Sequence, residues 1–257
     1  MSSSNYDSLY SKAYYASFAG WDRRLQELAK LVPPMFQHAR ILDVGCGAGD
    51  WVGYLANQGY RVTGIDYSPD AIALCKKHQG NFRVMPATKL TFLKNSFDAV
   101  FCLEVAEHLT QTDLIKSLKE IRRVLKPGGF LFLHTEPNRT FNDCFYRYWA
   151  YPVGSILIWL NNLLGNHYSP MVKPNEIRSE INKKIHINEP TYFSLKNALK
   201  RAGFNGLLQS TNLVWRKPIL SWKDWVFNLL VYLDPISRWW PLNILAGQDF
   251  LVITKKT

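Results

Sequence analysis

The chain is poor in cysteine and contains no long hydrophobic run. Its four cysteines, Cys46, Cys75, Cys102 and Cys144, form no C-x-x-C pair, which favours free thiols in a reducing compartment over a disulfide framework. No segment reaches the roughly 18 apolar residues that a membrane span needs. The first residues also lack the charged start and apolar stretch of a signal peptide. From these absences we expect a cytoplasmic protein without a membrane-spanning segment.

Acidic residues are outnumbered by basic ones. The sequence has 31 Lys and Arg against 20 Asp and Glu, a net charge of +11, of which residues 151–257 carry +7. Such basicity permits contact with nucleic acid or anionic lipid headgroups, and it equally serves solubility. No RNA-binding module or dense arginine cluster is present, so nucleic acid is not an expected partner. The length favours one domain over residues 1–257, with an insertion.

A glycine-rich turn follows the first predicted strand. Ile41–Val44 form a short apolar run, and Gly45, Gly47 and Gly49 follow at alternate positions. Glycines allow a tight turn and let backbone N–H groups approach a ligand. The spacing lacks the last glycine of the G-x-G-x-x-G pattern of dinucleotide sites, which weakens the alternative of an oxidoreductase. Asp43 before the turn would repel a phosphate but suits a cationic amino group.

Strands and helices then alternate along the chain. Further strands are predicted over 61–65, 82–85, 96–103, 130–134, 204–211 and 250–254, and helices over 21–31, 114–125 and 191–202. This alternation predicts an α/β fold, a Rossmann-like and mostly parallel sheet of seven strands with helices on both faces.

Asp66 ends the second predicted strand, 17 residues beyond Gly49. An acidic side chain at this distance, at the carboxyl end of a strand, can accept hydrogen bonds from both hydroxyls of a ribose. Tyr67 beside it could pack on an adenine ring. The alternative is that Asp66 only caps a loop.

Three further side chains follow the fourth predicted strand. Glu104, Glu107 and His108 are spaced i, i+3 and i+4, so a helix that begins at Glu104 would project all three from one face. Such a set can hold a divalent ion, or His108 can serve as general base for a substrate hydroxyl. The alternative is a helix cap that only borders the cofactor.

The D-x-G-x-G-x-G pattern from Asp43 and the L-K-P-G-G-x-L sequence at 125–131 resemble the class I S-adenosylmethionine-dependent methyltransferases. The resemblance covers roughly residues 40–135 and implies S-adenosylmethionine as cofactor. Where the family usually places Asp and then Ala, this chain has Pro86-Ala87, so the backbone of Ala87 or the hydroxyl of Thr88 would replace a side-chain contact. The expected cofactor-binding residues are Tyr14, Asp43, Gly45, Cys46, Gly47, Gly49, Asp66, Tyr67, Ala87, Thr88, Leu103 and Glu104.

The E-x-x-E-H sequence is similar to the metal motif of two methyltransferase families. One comprises the O-methyltransferases of ubiquinone biosynthesis, and the other the small-RNA 3′-terminal 2′-O-methyltransferases, whose later histidine ligand is matched by His186. The resemblance implies a Mg²⁺ site of Glu104, Glu107, His108 and His186, and catalytic roles for His108, Glu107 and His186.

Beyond residue 137 the alternation of elements breaks. Residues 138–190 and 215–247 are predicted to form an aromatic-rich helical lid over the active site, joined to a cofactor-binding core of residues 1–137. Seven of the nine tryptophans lie at or after Trp149. In the Trp-rich C-terminal helix, apolar residues recur from Trp222 to Leu233 at helical spacing. This face either packs on the sheet or lies on a membrane surface.

Together these features predict an S-adenosylmethionine-dependent methyltransferase. Its acceptor would be an oxygen of a hydrophobic small molecule or a lipid-linked compound, since an aromatic lid favours such molecules. Two alternatives stay open, an RNA 2′-O-methyltransferase and a non-catalytic S-adenosylmethionine-binding protein. A cytoplasmic location would still allow peripheral membrane contact through the Trp-rich C-terminal helix.

Overall fold

Seven strands form one sheet in a computed structural model, which describes residues 10–18, 22–35, 37–213 and 220–257. Trp21 at the predicted start of the front helix and Trp215 at the predicted start of the second lid segment lie outside the described residues. The strands are β1 Arg40–Val44, β2 Arg61–Asp66, β3 Asn81–Val84, β4 Phe97–Leu103, β5 Leu125–Thr135, β6 Leu207–Thr211 and β7 Asp249–Lys255.

The sheet order is β3-β2-β1-β4-β5-β7-β6. Neighbouring strands run parallel from β3 to β5, and β7 runs antiparallel to both β5 and β6. The prediction of a Rossmann-like, seven-stranded and mostly parallel sheet is therefore confirmed.

Helices cover both faces of the sheet. The α-helices are α1 Lys12–Phe18, α2 Arg23–Ala29, α3 Asp50–Asn57, α4 Pro69–Leu74, α5 Gln111–Val124, α6 Tyr151–Leu163, α7 Glu180–Ile185, α8 Tyr192–Arg201 and α9 Trp222–Tyr232. A helix of π type spans Phe141–Ala150, and short 3-10 helices span Cys75–Lys77, Ala106–His108, Ile236–Arg238 and Leu242–Ile244. One hydrophobic core lies between the sheet and α5 and α8, and the other lies between the sheet and α2 and α3.

Helix α5 shows how the sequence sets these elements. The Thr110 hydroxyl accepts a hydrogen bond from the Asp113 N–H at 3.1 Å and caps the helix. Leu114, Leu118 and Ile121 recur at helical spacing and are buried against the sheet. The helix thus covers β4 and β5 and leaves their carboxyl ends open.

The lid helices have a small core of their own. Phe141, Tyr146 and Ala150 of the π-type helix pack with Val231 and Tyr232 of α9. Within the described ranges, no helix combines the length and the apolar character needed to cross a bilayer.

Replacement of Leu118 by Ala should lower the free energy of unfolding by about 2–5 kcal/mol, because the side chain is fully buried between α5 and the sheet. Chemical denaturation measures this loss. The neighbouring Lys119→Ala removes an exposed side chain of α5 and should change stability by no more than about 0.5 kcal/mol. Equal effects of the two substitutions would contradict the described orientation of α5.

Candidate cofactor-binding and active site

A cavity of 590 Å³ lies at the carboxyl edge of the parallel strands. Its walls come from the turns that follow β1 to β5, where open parallel sheets bind their ligands. All the predicted cofactor-binding residues line this cavity except Gly49, which lies behind the turn against Cys75 and Phe82.

The turn after β1 needs its first glycine for two reasons. Gly45 has φ of +78°, and a Cβ atom there would lie 2.2 Å from Cγ2 of Val105. Its N–H donates to the carbonyl oxygen of Ile65 at 2.7 Å, which ties the turn to β2. A side chain at this position would therefore both strain the backbone and displace the residues after β4.

Asp66 connects three parts of the cavity wall. Its Oδ2 accepts a hydrogen bond from the Gly47 N–H at 3.1 Å. Its Oδ1 accepts from the Ser68 N–H at 2.9 Å and from the Tyr15 hydroxyl at 3.2 Å. Burial raises the pKa of the carboxyl group, and these hydrogen bonds only partly oppose the increase. The carboxylate is thus held rigidly at the end of β2.

Tyrosines of the front segment form an aromatic wall over Asp66. The rings of Tyr10, Tyr14 and Tyr15 contact one another, and Tyr10 also contacts Tyr67 at 5.5 Å between centroids. The Tyr10 hydroxyl lies 3.0 Å from Nδ1 of His108. The front segment therefore reaches from Asp66 to the histidine. Sequence analysis selected only Tyr14 of these three front-segment residues, although the run of tyrosines was a signal for all of them.

Asp43 is buried at the floor of the cavity, next to the turn. Burial and the nearby charge of Asp66 raise the pKa of Asp43 to about 8. A bound cation would stabilise the ionised form of Asp43, because it offsets both the burial and the repulsion from Asp66.

The expected helix start at Glu104 is wrong. Glu104 has φ of +55°, and a short 3-10 helix begins only at Ala106. The Glu104 N–H donates to the carbonyl oxygen of His134 at 3.0 Å, which prolongs the pairing of β4 with β5. Glu104 and Glu107 therefore do not share a helical face.

Glu104 instead belongs to a buried chain of charges. Its carboxylate contacts Nδ1 of His134 and lies 3.7 Å from the Arg24 guanidinium. Nε2 of His134 lies 3.5 Å from Asp249, which also accepts hydrogen bonds from the Thr211 hydroxyl and from a backbone N–H. The chain thus crosses β4, β5, β7 and β6. His134 received no role in the sequence analysis because its charged neighbours are remote in sequence.

The contact between Glu104 and His134 shifts the pKa values of both side chains. Burial alone would raise the pKa of Glu104, but the charges of His134 and Arg24 outweigh it and lower the pKa to about 2. Burial alone would lower the pKa of His134, but Glu104 and Asp249 raise it well above its ordinary value. Glu104 is therefore an anion and His134 a cation at neutral pH.

Glu107, His108 and His186 come together beside this chain. One nitrogen or oxygen atom from each lies within 4.8 Å of the others, close enough for one metal ion to contact all three. Glu104 is not part of this group. The Thr135 hydroxyl donates to Glu107 at 2.7 Å, and burial followed by the charge of Glu104 raises the pKa of Glu107.

The two histidines of the group are neutral at pH 7. Their ring centroids lie 5.0 Å apart. Burial lowers the pKa of His108, and burial together with His108 lowers the pKa of His186 to about 4. A neutral imidazole can accept a proton or bind a metal ion.

Arg24 and Glu136 also line the cavity, and sequence analysis selected neither. Nε of Arg24 and Oε2 of Glu136 are buried without a hydrogen-bond partner among the described residues. Burial and the charge of Glu104 raise the pKa of Glu136 to about 8. Neither residue belongs to a motif that the sequence analysis used.

The lid contributes little to the cavity wall. From 138–190, Asn182, His186 and Ile187 line the cavity, and no residue of the described segment 220–247 does so. The aromatic surface that faces the cavity is thus formed by tyrosines and Trp51, and the described tryptophans of the lid do not line the cavity.

Comparison with known proteins finds a methyltransferase domain in part of this chain. Residues 42–133 match the family described as methyltransferase domain. The ubiquinone biosynthesis O-methyltransferase of Xanthomonas oryzae pv. oryzae is 40% identical over 109 residues, which are 40% of this chain and 44% of that protein. The protein of the same name from Xanthomonas campestris pv. campestris is 34% identical over 154 residues, 54% of this chain and 59% of that protein. The chain thus spans about half the length of the curated relatives it matches.

Solved structures share the fold across nearly the whole chain. A putative methyltransferase of Haloferax volcanii, solved in complex with the Trm112 activator, has a TM-score of 0.61 and 16% identity, with 98% of this chain and 97% of that chain covered. Phosphoethanolamine N-methyltransferase 2 of Haemonchus contortus, solved with S-adenosyl-L-methionine, has a TM-score of 0.58 and 18% identity, with 92% and 53% covered. At these identities the likeness concerns the fold. The sheet order and the glycine turn agree with the methyltransferase domain that is matched over residues 42–133.

Proposed function

We propose that the protein transfers the methyl group of S-adenosylmethionine to an oxygen atom of a hydrophobic small molecule or a lipid-linked compound. The main support is that one cavity contains both the glycine turn paired with Asp66 and a neutral histidine, His108. O-methylation is the activity named for the relatives from Xanthomonas. No comparison favours an RNA acceptor or a non-catalytic protein.

The residues of the cavity fit the parts of the proposed cofactor. Asp66 would accept the ribose hydroxyls, one of which would replace the Tyr15 hydroxyl on Oδ1. Tyr67, Ala87 and Thr88 would border the adenine. Asp43 would neutralise the cationic amino group. When bound, the cofactor supplies an electrophilic methyl group.

The other end of the cofactor would lie near buried charges. The unpaired Nε of Arg24 offers a donor for the cofactor carboxylate. Leu103, Glu104 and the protonated Glu136 would surround the amino-acid end, where positive charge is stabilised by nearby carboxyl oxygens. Exclusion of water by the tyrosines would strengthen these interactions.

His108 would remove the proton of the acceptor hydroxyl. Because burial lowers its pKa below 6.5, the imidazole is unprotonated at neutral pH and can act as general base. Glu107 and His186 would hold it in place. The division into a core of residues 1–137 and lid segments 138–190 and 215–247 belongs to this proposal.

A divalent ion is a second candidate role for the same group. Glu107, His108 and His186 provide one carboxylate and two imidazoles whose atoms lie within 4.8 Å of one another, and Nδ1 of His186 is buried without a hydrogen-bond partner among the described residues. Mg²⁺ or Mn²⁺ would fit the carboxylate, and a softer ion would fit the imidazoles. Glu104 contacts His134 and Arg24 and would therefore not be a ligand of the ion.

The proposed location is cytoplasmic, with peripheral contact to a membrane through the Trp-rich C-terminal helix. Trp222 and Trp225 of α9 are exposed, next to Lys223. Exposed tryptophan beside lysine is typical of helices at membrane interfaces.

Replacement of Asp66 by Asn should weaken the binding of S-adenosylhomocysteine by about 10–100-fold, since it removes a charged acceptor worth about 1.5–3 kcal/mol. Isothermal titration calorimetry measures the change. Glu176→Gln, which also removes one negative charge but from an exposed side chain, should leave the affinity unchanged. A folded Asp66→Asn protein with full affinity would contradict the assigned ribose contact.

Replacement of His108 by Asn should lower kcat by about 10²–10⁴-fold with unchanged affinity for S-adenosylhomocysteine. The kcat of the unaltered protein should rise with pH through the lowered pKa of His108 and level off above about 6.5, since only the neutral imidazole accepts the proton. Methylation of catechols and hydroquinones, followed by mass spectrometry, measures both. His38→Asn, at an exposed residue with φ of +61°, is the matched control, and full activity of His108→Asn would refute the proposed base.

Replacement of His186 by Ala should abolish the binding of Mn²⁺ if the three side chains form a metal site. Electron paramagnetic resonance of the free ion measures binding independently of activity, with His38→Ala as control. Absence of Mn²⁺ and Mg²⁺ binding in the unaltered protein would leave the role of general base as the function of His108.

A further inference from the structure

Glu136 and Arg24 each place one polar atom in the cavity wall without a hydrogen bond. Both side chains line the cavity, and Oε2 of Glu136 and Nε of Arg24 are buried without a partner among the described residues. The two side chains act on each other electrostatically, yet these two atoms are not bonded to each other. Buried polar atoms of this kind are expected to meet a ligand or an ordered water molecule.

The charges of the wall indicate where an anionic group can bind. Arg24 is the only lysine or arginine among the described residues that line the cavity. Seven acidic side chains line the same cavity: Asp43, Asp50, Asp66, Glu104, Glu107, Asp113 and Glu136. Most of this wall repels a carboxylate, so a ligand carboxylate should bind beside Arg24.

Arg24 alone is a poor partner for such a carboxylate, because its charge is already shared. Its guanidinium lies 3.7 Å from Glu104 and 3.5 Å from Asp22. A ligand carboxylate would be a third anion around one cation, which is unfavourable in a partly buried site. A second hydrogen-bond donor that brings no negative charge would relieve this imbalance.

Glu136 can provide that donor when it is protonated. Burial is the largest cause that raises its pKa, and Glu104 at the end of β4 and Asp249 on β7 add to the increase. His134 on β5 and Arg24 on α2 oppose it, and the pKa of Glu136 is about 8. The side chain is therefore mostly a neutral carboxylic acid at pH 7, and its O–H group can donate a hydrogen bond.

We propose that protonated Glu136 donates a hydrogen bond to the carboxylate of S-adenosylmethionine, and that Nε of Arg24 donates a second one. The inference rests on the proposed function, which places the amino-acid end of the cofactor near Arg24, and it adds the neutral donor that this end requires. The other carboxyl oxygen of Glu136 remains an acceptor for the ammonium group. Ionised Glu136 would repel the carboxylate, so affinity is retained below the pKa of Glu136 and falls as the pH rises through it.

Isothermal titration calorimetry with S-adenosylmethionine and its decarboxylated form tests the contact, since the two ligands differ only in the carboxylate. Replacement of Glu136 by Ala should weaken the binding of S-adenosylmethionine at pH 7 by about tenfold or more, because it removes a hydrogen bond to a charged group. The affinity for the decarboxylated form should change by no more than about threefold. Equal losses for both ligands would overturn the proposal.

Replacement of Glu136 by Gln separates the hydrogen bond from the charge, because the amide is isosteric and donates at every pH. At pH 7 the variant should bind S-adenosylmethionine within about threefold of the unaltered chain. At pH 9 the unaltered chain should bind about tenfold more weakly than the variant, since only about a tenth of Glu136 is then protonated. Titration of Asp43 and of the ligand amino group affects both proteins alike and cancels in this ratio.

Glu176→Gln is the matched control, because it also neutralises a glutamate but at an exposed side chain. Its affinity relative to the unaltered chain should be the same at pH 7 and pH 9. A constant ratio between Glu136→Gln and the unaltered chain over this range would overturn the proposal, whether or not Glu136→Ala folds.

The same titrations distinguish this proposal from the proposed function. Absence of binding of both ligands by the unaltered chain would refute the proposed function. Binding of both ligands with equal affinity at pH 7 would leave the proposed function standing and refute only the contact of Glu136 with the carboxylate.

Discussion

The concentration of carboxyl groups at one edge of the sheet is the constraint on which the site depends. Asp43, Asp66, Glu104, Glu107 and Glu136 all line one cavity, and burial of so many acids is unfavourable unless cations or protons compensate. Within the described residues, His134 and Arg24 compensate Glu104. Burial raises the pKa values of Asp43 and Glu136 to about 8, and for Glu136 the charges of His134 and Arg24 offset this increase only in part. A ligand that carries a sulfonium and an ammonium group would supply further positive charge.

The same constraint explains why neighbouring acids take different roles. Glu104 and Glu107 are three residues apart, yet Glu104 has its pKa lowered and Glu107 has its pKa raised. The difference arises because the left-handed backbone of Glu104 aims its carboxylate at the cation His134, whereas Glu107 contacts the Thr135 hydroxyl, His108 and the anionic Glu104. Glu104 therefore stays negatively charged beside the proposed methyl donor. Glu107 remains able to exchange a proton or bind an ion.

The lid lies between this polar site and an exposed apolar surface. Its inner side supplies Asn182, His186 and Ile187 to the cavity. On α6, a stripe of exposed apolar side chains faces the solvent: Ile156, Trp159, Leu160 and Leu163. The hydrophobic effect disfavours such a stripe in water and favours it at a lipid surface.

The sequence by itself determined the sheet, the glycine turn and the position of Asp66, because hydrophobic alternation, glycine spacing and strand ends are local properties of the chain. Resemblance to a known motif also predicted that His186 would lie near His108, and the two rings are in contact. Only the tertiary structure decided that Glu104 leaves the set of Glu107, His108 and His186, since its direction is imposed by His134 and Arg24, which are remote in sequence. Likewise, periodicity predicted an apolar face on α9 but could not tell whether the protein would cover it, because that depends on the neighbouring elements in the fold.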